Sequence, residues 1–347
     1  MKKIFALVLA LMLVCSAAAL AEKVGVAMPT MDLQRWVQDG DNMKAQLEEA
    51  GYEVSLQYAA NDVSTQVNQI QNMISEGCDV LDVASIDGGA LGACLQEAKD
   101  KGIMVVAYDR LLTGTDAVDY YATFDNYKVG TIQGSYLVEK FDLENTTETY
   151  TMEVFAGSPD DNNARYFYQG AIDQLMPYIE AGKLNVVSGQ YDFETCAILG
   201  WGTDDAQARM ENLLTAFYSD GSFPQIVLSP NDSLALGVAN ALDAAGCPVE
   251  QWPAITGQDC DKANVKNIIA GKQSMSVFKD TRTLAAQVVA MVDAYLLEEE
   301  VPVNDTETYD NGVKVVPSFL CDPVFASVDN YAELLLDSGY YTEADIA

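Results

Sequence analysis

The sequence predicts an α/β protein of two doubly wound parallel-sheet lobes. Three observations carry that expectation. Strand-like and helix-like stretches alternate along the chain, which implies right-handed βαβ units and parallel strands. The alternation runs through two halves that resemble each other. The 347 residues, 49% of them hydrophobic, suffice for about two cores of ordinary size.

In order, Lys23–Met28 is a strand-like run stopped by Pro29. Leu33–Ala50 carries apolar residues at helical spacing and ends at Gly51, the residue best suited to a left-handed helix stop. A strand at Glu53–Gln57, a helix at Val63–Glu76, a strand at Val80–Ala84, a helix at Ala90–Lys101 and a strand at Ile103–Ala107 follow. The pattern resumes with a strand at Tyr150–Phe155, a helix at Asp161–Tyr178, a strand at Asn185–Ser188 and a helix at Asp204–Tyr218. Ile226–Leu228, Ser233–Ala245, Ala254–Thr256 and Ala263–Ala270 extend it as strand, helix, strand and helix.

The halves share their punctuation. "CDVLDVASIDG" and "GIMVVAYDR" in the first answer to "PQIVLSPND" and "WPAITGQDC" in the second, so that Asp87 and Asp232 close one strand and Asp109 and Asp259 close the next. No low-complexity linker separates the halves. The chain is expected to pass between lobes three times, near Phe124–Asn126, Phe278–Asp280 and Val315–Phe319. This three-segment hinge divides it into an N-terminal lobe of 22–125 plus 280–317 and a C-terminal lobe of 126–279 plus 318–347.

Composition removes whole classes of function. With 52 acidic and 19 basic side chains the formal net charge is −33, and there is no histidine. Without histidine there is no Ser-His-Asp triad, no Cys-His dyad and no His-bearing zinc site. Nucleic acid needs a clustered basic surface, and an anionic membrane face would repel this chain. Lys2 and Lys3, the apolar run Ile4–Val14 and the small-x-small Ala19-Leu20-Ala21 mark residues 1–21 as an export signal, with the mature protein in the periplasm or at the outer cell surface. A retained anchor is disfavoured, and so is a lipid on Cys15, because Val14 is a poor residue before it. Cleavage removes two lysines and no acids, making the chain more acidic still. The remaining cysteines, Cys78, Cys94, Cys196, Cys247, Cys260 and Cys321, form no CxxC, so neither a metal cluster nor a thioredoxin-like motif is expected. Buried free thiols are favoured over disulfides, and any pairing stays open.

In open parallel sheets ligands bind beyond the carboxyl ends of the strands. The polar clusters fall there: Pro29 to Trp36, Ser85 to Gly88, Asp109-Arg110, Ser158 to Asn163, Trp201, Asn231-Asp232, Gln258-Asp259 and Phe278-Lys279. Carboxylates accept from hydroxyls, Arg and Lys donate to ring and hydroxyl oxygens, and Asn does both, which suits an uncharged polyhydroxyl ligand. Trp36 and Trp201 can face the C–H surfaces of a sugar ring. No Walker-type or GxGxxG loop is present, so nucleotides are disfavoured. Duller roles compete: Asp87 and Asp232 suit helix caps equally well, Lys279 suits a surface charge, and Trp36 suits a core. Trp201, between Gly200 and Gly202, has the setting of an exposed loop platform.

With "QRW", "ASIDG", "AYDRLL", "YYATFDN", "FAGSPDDNNA", "SPNDSLALG", "ITGQD" and "VFKDT" assembled, the chain resembles the substrate-binding proteins of sugar ABC transporters. It is most similar to the multiple-monosaccharide-binding type, then to xylose-binding proteins. The resemblance spans essentially the whole mature chain. It implies the type I periplasmic-binding-protein fold, with one pyranose held between lobes that close about a hinge and are then recognised by permease subunits. It implies sugar contacts from Arg35 and Trp36 of "QRW", Asp109 and Arg110 of "YDR", Asn162 and Asn163 of "DDNNA", Trp201, Asn231 of "SPND", Asp259 of "GQD" and Lys279 of "FKD". The setting of Trp201, "AILGWGTDDA", departs from the usual spacing. No acidic loop matches the calcium site of some galactose-binding relatives. No metal, cofactor or catalytic residue is expected, and the protein is expected to be a monomer. Two rivals remain at this level: a sensor presenting sugar to a chemoreceptor or sensor kinase, and an exported glycoside hydrolase using Asp109 and Asp259.

Overall fold

In the computed structural model, which describes residues 21–347, six parallel strands form the first sheet. They are β1 (Lys23–Met28), β2 (Glu53–Tyr58), β3 (Val80–Val83), β4 (Met104–Tyr108), β5 (Tyr120–Phe124) and β11 (Ser318–Cys321), in the order β2-β1-β3-β4-β5-β11. Helices α1 (Gln34–Ala50), α2 (Val63–Ser75), α3 (Gly92–Asp100) and α9 (Thr281–Leu296) cover its faces. Side chains of a strand alternate between faces. Val24, Val26, Val80 and Tyr108 therefore pack with Met43, Leu47 and Leu284 beneath α1 and α9. Ala27, Leu81, Val83 and Val105 pack with Ile70, Met73 and Leu95 beneath α2 and α3. Gly51 ends α1 at φ 103°, donating its N–H to Glu48 and Leu47, the left-handed stop anticipated there.

The second lobe repeats this plan. Strands β6 (Tyr150–Val154), β7 (Leu184–Val186), β8 (Ile226–Leu228) and β9 (Ala254–Ile255) are parallel in the order β7-β6-β8-β9. A parallel bridge between Gln258 and Val277 joins them to β10 (Met275–Phe278), which pairs with β12 (Val324–Ser327). The resulting order matches the first sheet strand for strand, with one departure: β11 runs parallel to β5, whereas β12 runs antiparallel to β10. Helices α4 (Asn126–Lys140), α5 (Asn162–Glu180), α6 (Thr203–Phe217), α7 (Asp232–Ala244) and α8 (Lys262–Ile269) pack on it. Helices α4 and α5 approach closely because Gly130 and Gly170 face backbone: a Cβ there would lie 2.0 Å from the Phe167 carbonyl oxygen and 2.1 Å from that of Tyr127.

Three departures from the sequence reading stand out. Strand β5 and helix α4, over 120–140, and β10, α9, β11 and β12, all beyond residue 270, have no counterpart among the elements expected from the sequence. The third passage between sheets lies at 322–323 rather than 315–319, because Ser318–Cys321 pairs with Tyr121–Phe124 of the first sheet. Pro317 and Pro323 bracket that strand, and proline tolerates strand ends but not strand centres. The segment 318–321, expected in the C-terminal lobe, is thus an edge of the N-terminal sheet. The export signal at residues 1–21, save Ala21, and the Cys15 reading lie outside the described residues. Among those described, all six cysteines are free thiols, five buried and Cys247 half-buried, and no helix is long and apolar enough to cross a membrane.

Candidate functional site

The carboxyl ends of both sheets meet around one cavity. Nine of the ten residues named from the sequence line it: Arg35, Trp36, Asp109, Arg110, Asn163, Trp201, Asn231, Asp259 and Lys279. Asn162 does not. Successive helical residues point about 100° apart, so at the start of α5 only Asn163 faces the cavity.

Each side chain is placed by the end of an element. Arg35 and Trp36 open α1 just beyond β1, where the first N–H groups of the helix are free. Asp109 follows β4 at φ 56° and Asp259 follows β9 at φ 95°, left-handed conformations that L-residues other than Asn and Asp seldom adopt. Asn163 is wedged between lobes: its Nδ2 donates to the Asp109 carbonyl at 2.6 Å, and its Oδ1 accepts from the Tyr121 hydroxyl at 2.9 Å. Asn231 is also the N-cap of α7, accepting from Leu234 N. The cap on that turn is therefore Asn231 and not Asp232, which lies fully buried and accepts from Ser276, Gln273 and Asp261 N.

Trp201 corrects an expectation. It is 5% exposed rather than a solvent-facing platform. Its φ of 58° turns the indole inward over Gly157, where a Cβ would stand 2.0 Å from the ring, and its Nε1 donates to Asp161 at 3.2 Å. Trp36, 4% exposed, borders the cavity and the first core together, with the Arg110 guanidinium 4.9 Å from its ring centre.

Charge is dense here. Arg35 Nη1 donates to Asp259 Oδ1 at 2.8 Å, and its Nη2 stands 3.3 Å from Asp109 Oδ2. Lys279 Nζ reaches Asp259 at 3.0 Å, and Arg110 Nε stands 3.1 Å from Asp161. Burial alone would raise the Asp109 carboxyl, but Arg35, Lys279 and Arg110 hold it below its ordinary value. Burial keeps Asp161 raised despite Arg110. Asp261 is pushed up to about 7 by burial and by Asp259, against Arg35 and Lys279. Three enclosed polar atoms of the lining, Asp109 Oδ1, Asp261 Oδ1 and Gln258 Oε1, have no hydrogen-bond partner, and Arg35 Nη2 and Arg110 Nε meet a carboxylate as ion pairs without making a hydrogen bond. Buried polar atoms are nearly always paired, so this donor-and-acceptor set is one a polyhydroxyl molecule would satisfy.

Asp161, Phe167, Ser233, Gln258 and Asp261 also line the cavity and were not singled out as contacts. Asp161 has the sequence signature of a helix cap and is one, accepting from Asn163 N, yet its other oxygen serves Trp201 and Arg110. Asp261 holds the N-cap position of α8 without using its side chain as a cap. Among the described residues, no group of His, Cys, Asp or Glu side chains is arranged to hold a metal ion.

Two α/β lobes closed over a polar cleft define a ligand-binding protein of the type I periplasmic-binding fold. The chain belongs to that family: the profile described as periplasmic binding protein domain matches residues 24–300. It is similar to the multiple sugar-binding periplasmic protein SbpA of Azospirillum brasilense, 49% identical over 92% of this chain and 90% of that one. It is also similar to the D-xylose-binding periplasmic protein of Escherichia coli, 37% identical over 93% and 92%. Among solved structures, an ABC transporter solute-binding protein from Clostridium phytofermentans with bound β-D-glucose is 60% identical, with a TM-score of 0.92 over 94% of this chain and 100% of that one. The family resemblance seen in the motifs is borne out, and the fold class with it.

Proposed function

We propose that the protein is the exported binding component of an ABC sugar importer, taking one neutral aldopentose or aldohexose between its lobes and delivering it unaltered to membrane permease subunits. The observation that carries this reading is the set of donors and acceptors without hydrogen bonds contributed by both lobes to one cavity with Trp36 and Trp201 in its wall. Asp109, Arg35 and Arg110 come from the first lobe, and Asn163, Asn231, Asp259 and Lys279 from the second. A sugar bridging them gains contacts only when the lobes meet, so it favours closure by differential affinity. Hinge closure around ligand is a motion the periplasmic binding proteins exemplify. Mixed charges that cancel locally suit a neutral ring, since charge-assisted bonds to hydroxyls are about twice as strong as neutral ones. The names of the relatives, sugar-binding or xylose-binding, and the glucose of the Clostridium structure agree with that ligand class.

Release without chemistry agrees with the relatives, which are named as binding proteins, and with Asp109, whose carboxyl Arg35 holds low rather than protonated as a proton donor to a leaving group would need. Calorimetry against a panel of aldopentoses and aldohexoses, with the recovered sugar checked chemically, tests the proposal. Saturable one-to-one binding with unchanged sugar is the expected result. No binding across the panel, or new reducing ends from a disaccharide, would overturn it.

A further inference from the structure

Behind the cleft wall the first lobe buries polar groups that no contact with ligand explains. Asp39 lies one helical turn after Arg35 and is fully buried. Its Oδ2 accepts from Arg35 Nε at 2.6 Å, and its Oδ1 accepts from the Tyr108 hydroxyl at 2.5 Å. Tyr108 immediately precedes Asp109, so one carboxylate ties the helix that carries Arg35 to the strand that carries Asp109. Asp39 itself does not line the cavity. Beside it Asp82, central in β3, is fully buried with neither oxygen hydrogen-bonded. Strand alternation turns Asp82 to the side where Val80 and Ala84 pack with Trp36 and Tyr108.

We propose that Asp39 is the positioning residue for Arg35, fixing the guanidinium so that it meets Asp109 and Asp259 together and thereby setting the affinity of the cleft for sugar. The inference rests on the sugar-binding reading above. A guanidinium is a planar fork. Anchoring Nε from behind leaves Nη1 and Nη2 as the two prongs, and these are the atoms at Asp259 and Asp109. Without the anchor the long side chain regains rotamer freedom that ligand binding must then remove.

The same anchor makes the site acid-sensitive. Asp39 faces Arg35 from its own helix, Tyr108 and Asp109 from β4 and its end, Asp82 from β3, Tyr58 from β2, and Tyr340 from the C-terminal segment. On α9, Arg282 is paired with Asp280. Burial pushes the Asp39 carboxyl up to about 6 against the pull of Arg35, and the Tyr108 hydrogen bond holds it lower than it would otherwise be. A protonated Asp39 loses the charge that holds Nε.

The test is calorimetric affinity for D-glucose and D-xylose between about pH 5 and pH 8, on the full mature chain and its Asp39→Asn and Tyr108→Phe variants. The unaltered protein is expected to weaken below about pH 6, the pH at which Asp39 takes up its proton. Asp39→Asn should bind about tenfold more weakly at neutral pH and lose that acid limb. Tyr108→Phe should keep the limb and move it to higher pH, a signed shift that a purely structural role would not produce. If Asp39→Asn does not fold, the Tyr108→Phe shift decides alone. Affinity within about twofold of the parent with an unchanged profile in Asp39→Asn, or an unmoved limb in Tyr108→Phe, overturns the positioning role while leaving sugar binding intact. No binding of any monosaccharide by the unaltered protein overturns both.

Discussion

Asp109 and Asp259 close equivalent strands in the two lobes and reach the same guanidinium. Each takes a left-handed backbone, and each donates its N–H to the neighbouring strand at 2.8 Å, Asp109 to Ala122 and Asp259 to Val277. Strain at two matched positions is tolerated because the surrounding sheets fix both turns. The duplication thus delivers one carboxylate from each lobe to Arg35.

Replacing either residue by alanine should weaken sugar binding by about 2 kcal/mol or more, since a buried cation is left short of a partner. The two losses should not add, because both act through Arg35. Calorimetry on the single variants and the double variant measures this. Additive losses would mean that the two carboxylates act independently.

Stability of the sugar-free protein should fall as pH rises. Asp39 and Asp261 are pushed up to about 6 and about 7, and Asp82 and Asp232 are raised by burial, Asp82 further by Asp39 and Asp232 further by Asp261. Each binds its proton more tightly when folded. The stabilisation is complete below the unfolded carboxyl value of about 4 and is lost as pH climbs through the folded values. Scanning calorimetry should show a lower Tm at about pH 8 than at about pH 5. A flat or rising profile would contradict these assignments.

Asp82→Val should stabilise the protein at neutral pH by about 1–3 kcal/mol, the usual penalty for a buried polar group without hydrogen bonds. Valine suits a strand centre and packs with Val80 and Val26. The gain should shrink toward pH 4, where the unfolded carboxyl is also neutral. Denaturant titrations at the two pH values check both statements, and a loss of stability at both would assign Asp82 a partner the fold does not display.

Gly157→Ala should impair sugar binding more than stability. The added methyl would occupy the space of the Trp201 ring, forcing the indole from its inward setting. The indole fluorescence of the sugar-free protein should change, and affinity should fall about as far as in Trp201→Ala. Unchanged affinity with a shifted Trp201 would remove the ring from the ligand surface.

Much of this was legible in the chain. Alternation and the paired strand-closing aspartates located both sheets and the cleft end of each, because ligands of open parallel sheets bind beyond the carboxyl ends of the strands. What escaped was set by tertiary partners. Ser318–Cys321 has no strand signal strong enough to say which sheet it joins, since that depends on the open edge of β5. Trp201 sits among glycines, which suggested exposure, but Gly157 lies across from it and admits the ring. Asp161 and Asp261 stand at helix starts, where capping explains an Asp fully; that one serves Trp201 and Arg110 and the other leaves an oxygen to the cavity follows only from tertiary neighbours, with Arg110 coming from the opposing lobe. Asn162 and Asn163 differ by a single helical step, which motif matching cannot resolve.

Because β11 lies beyond β10 in the chain but within the first sheet, neither lobe is a contiguous stretch of sequence. A polypeptide threaded out amino end first would present nearly all of the second lobe before the last edge of the first becomes available. Maturation of the two lobes is thereby coupled, and severing the chain near residue 300 would strip an edge strand from each of them at once.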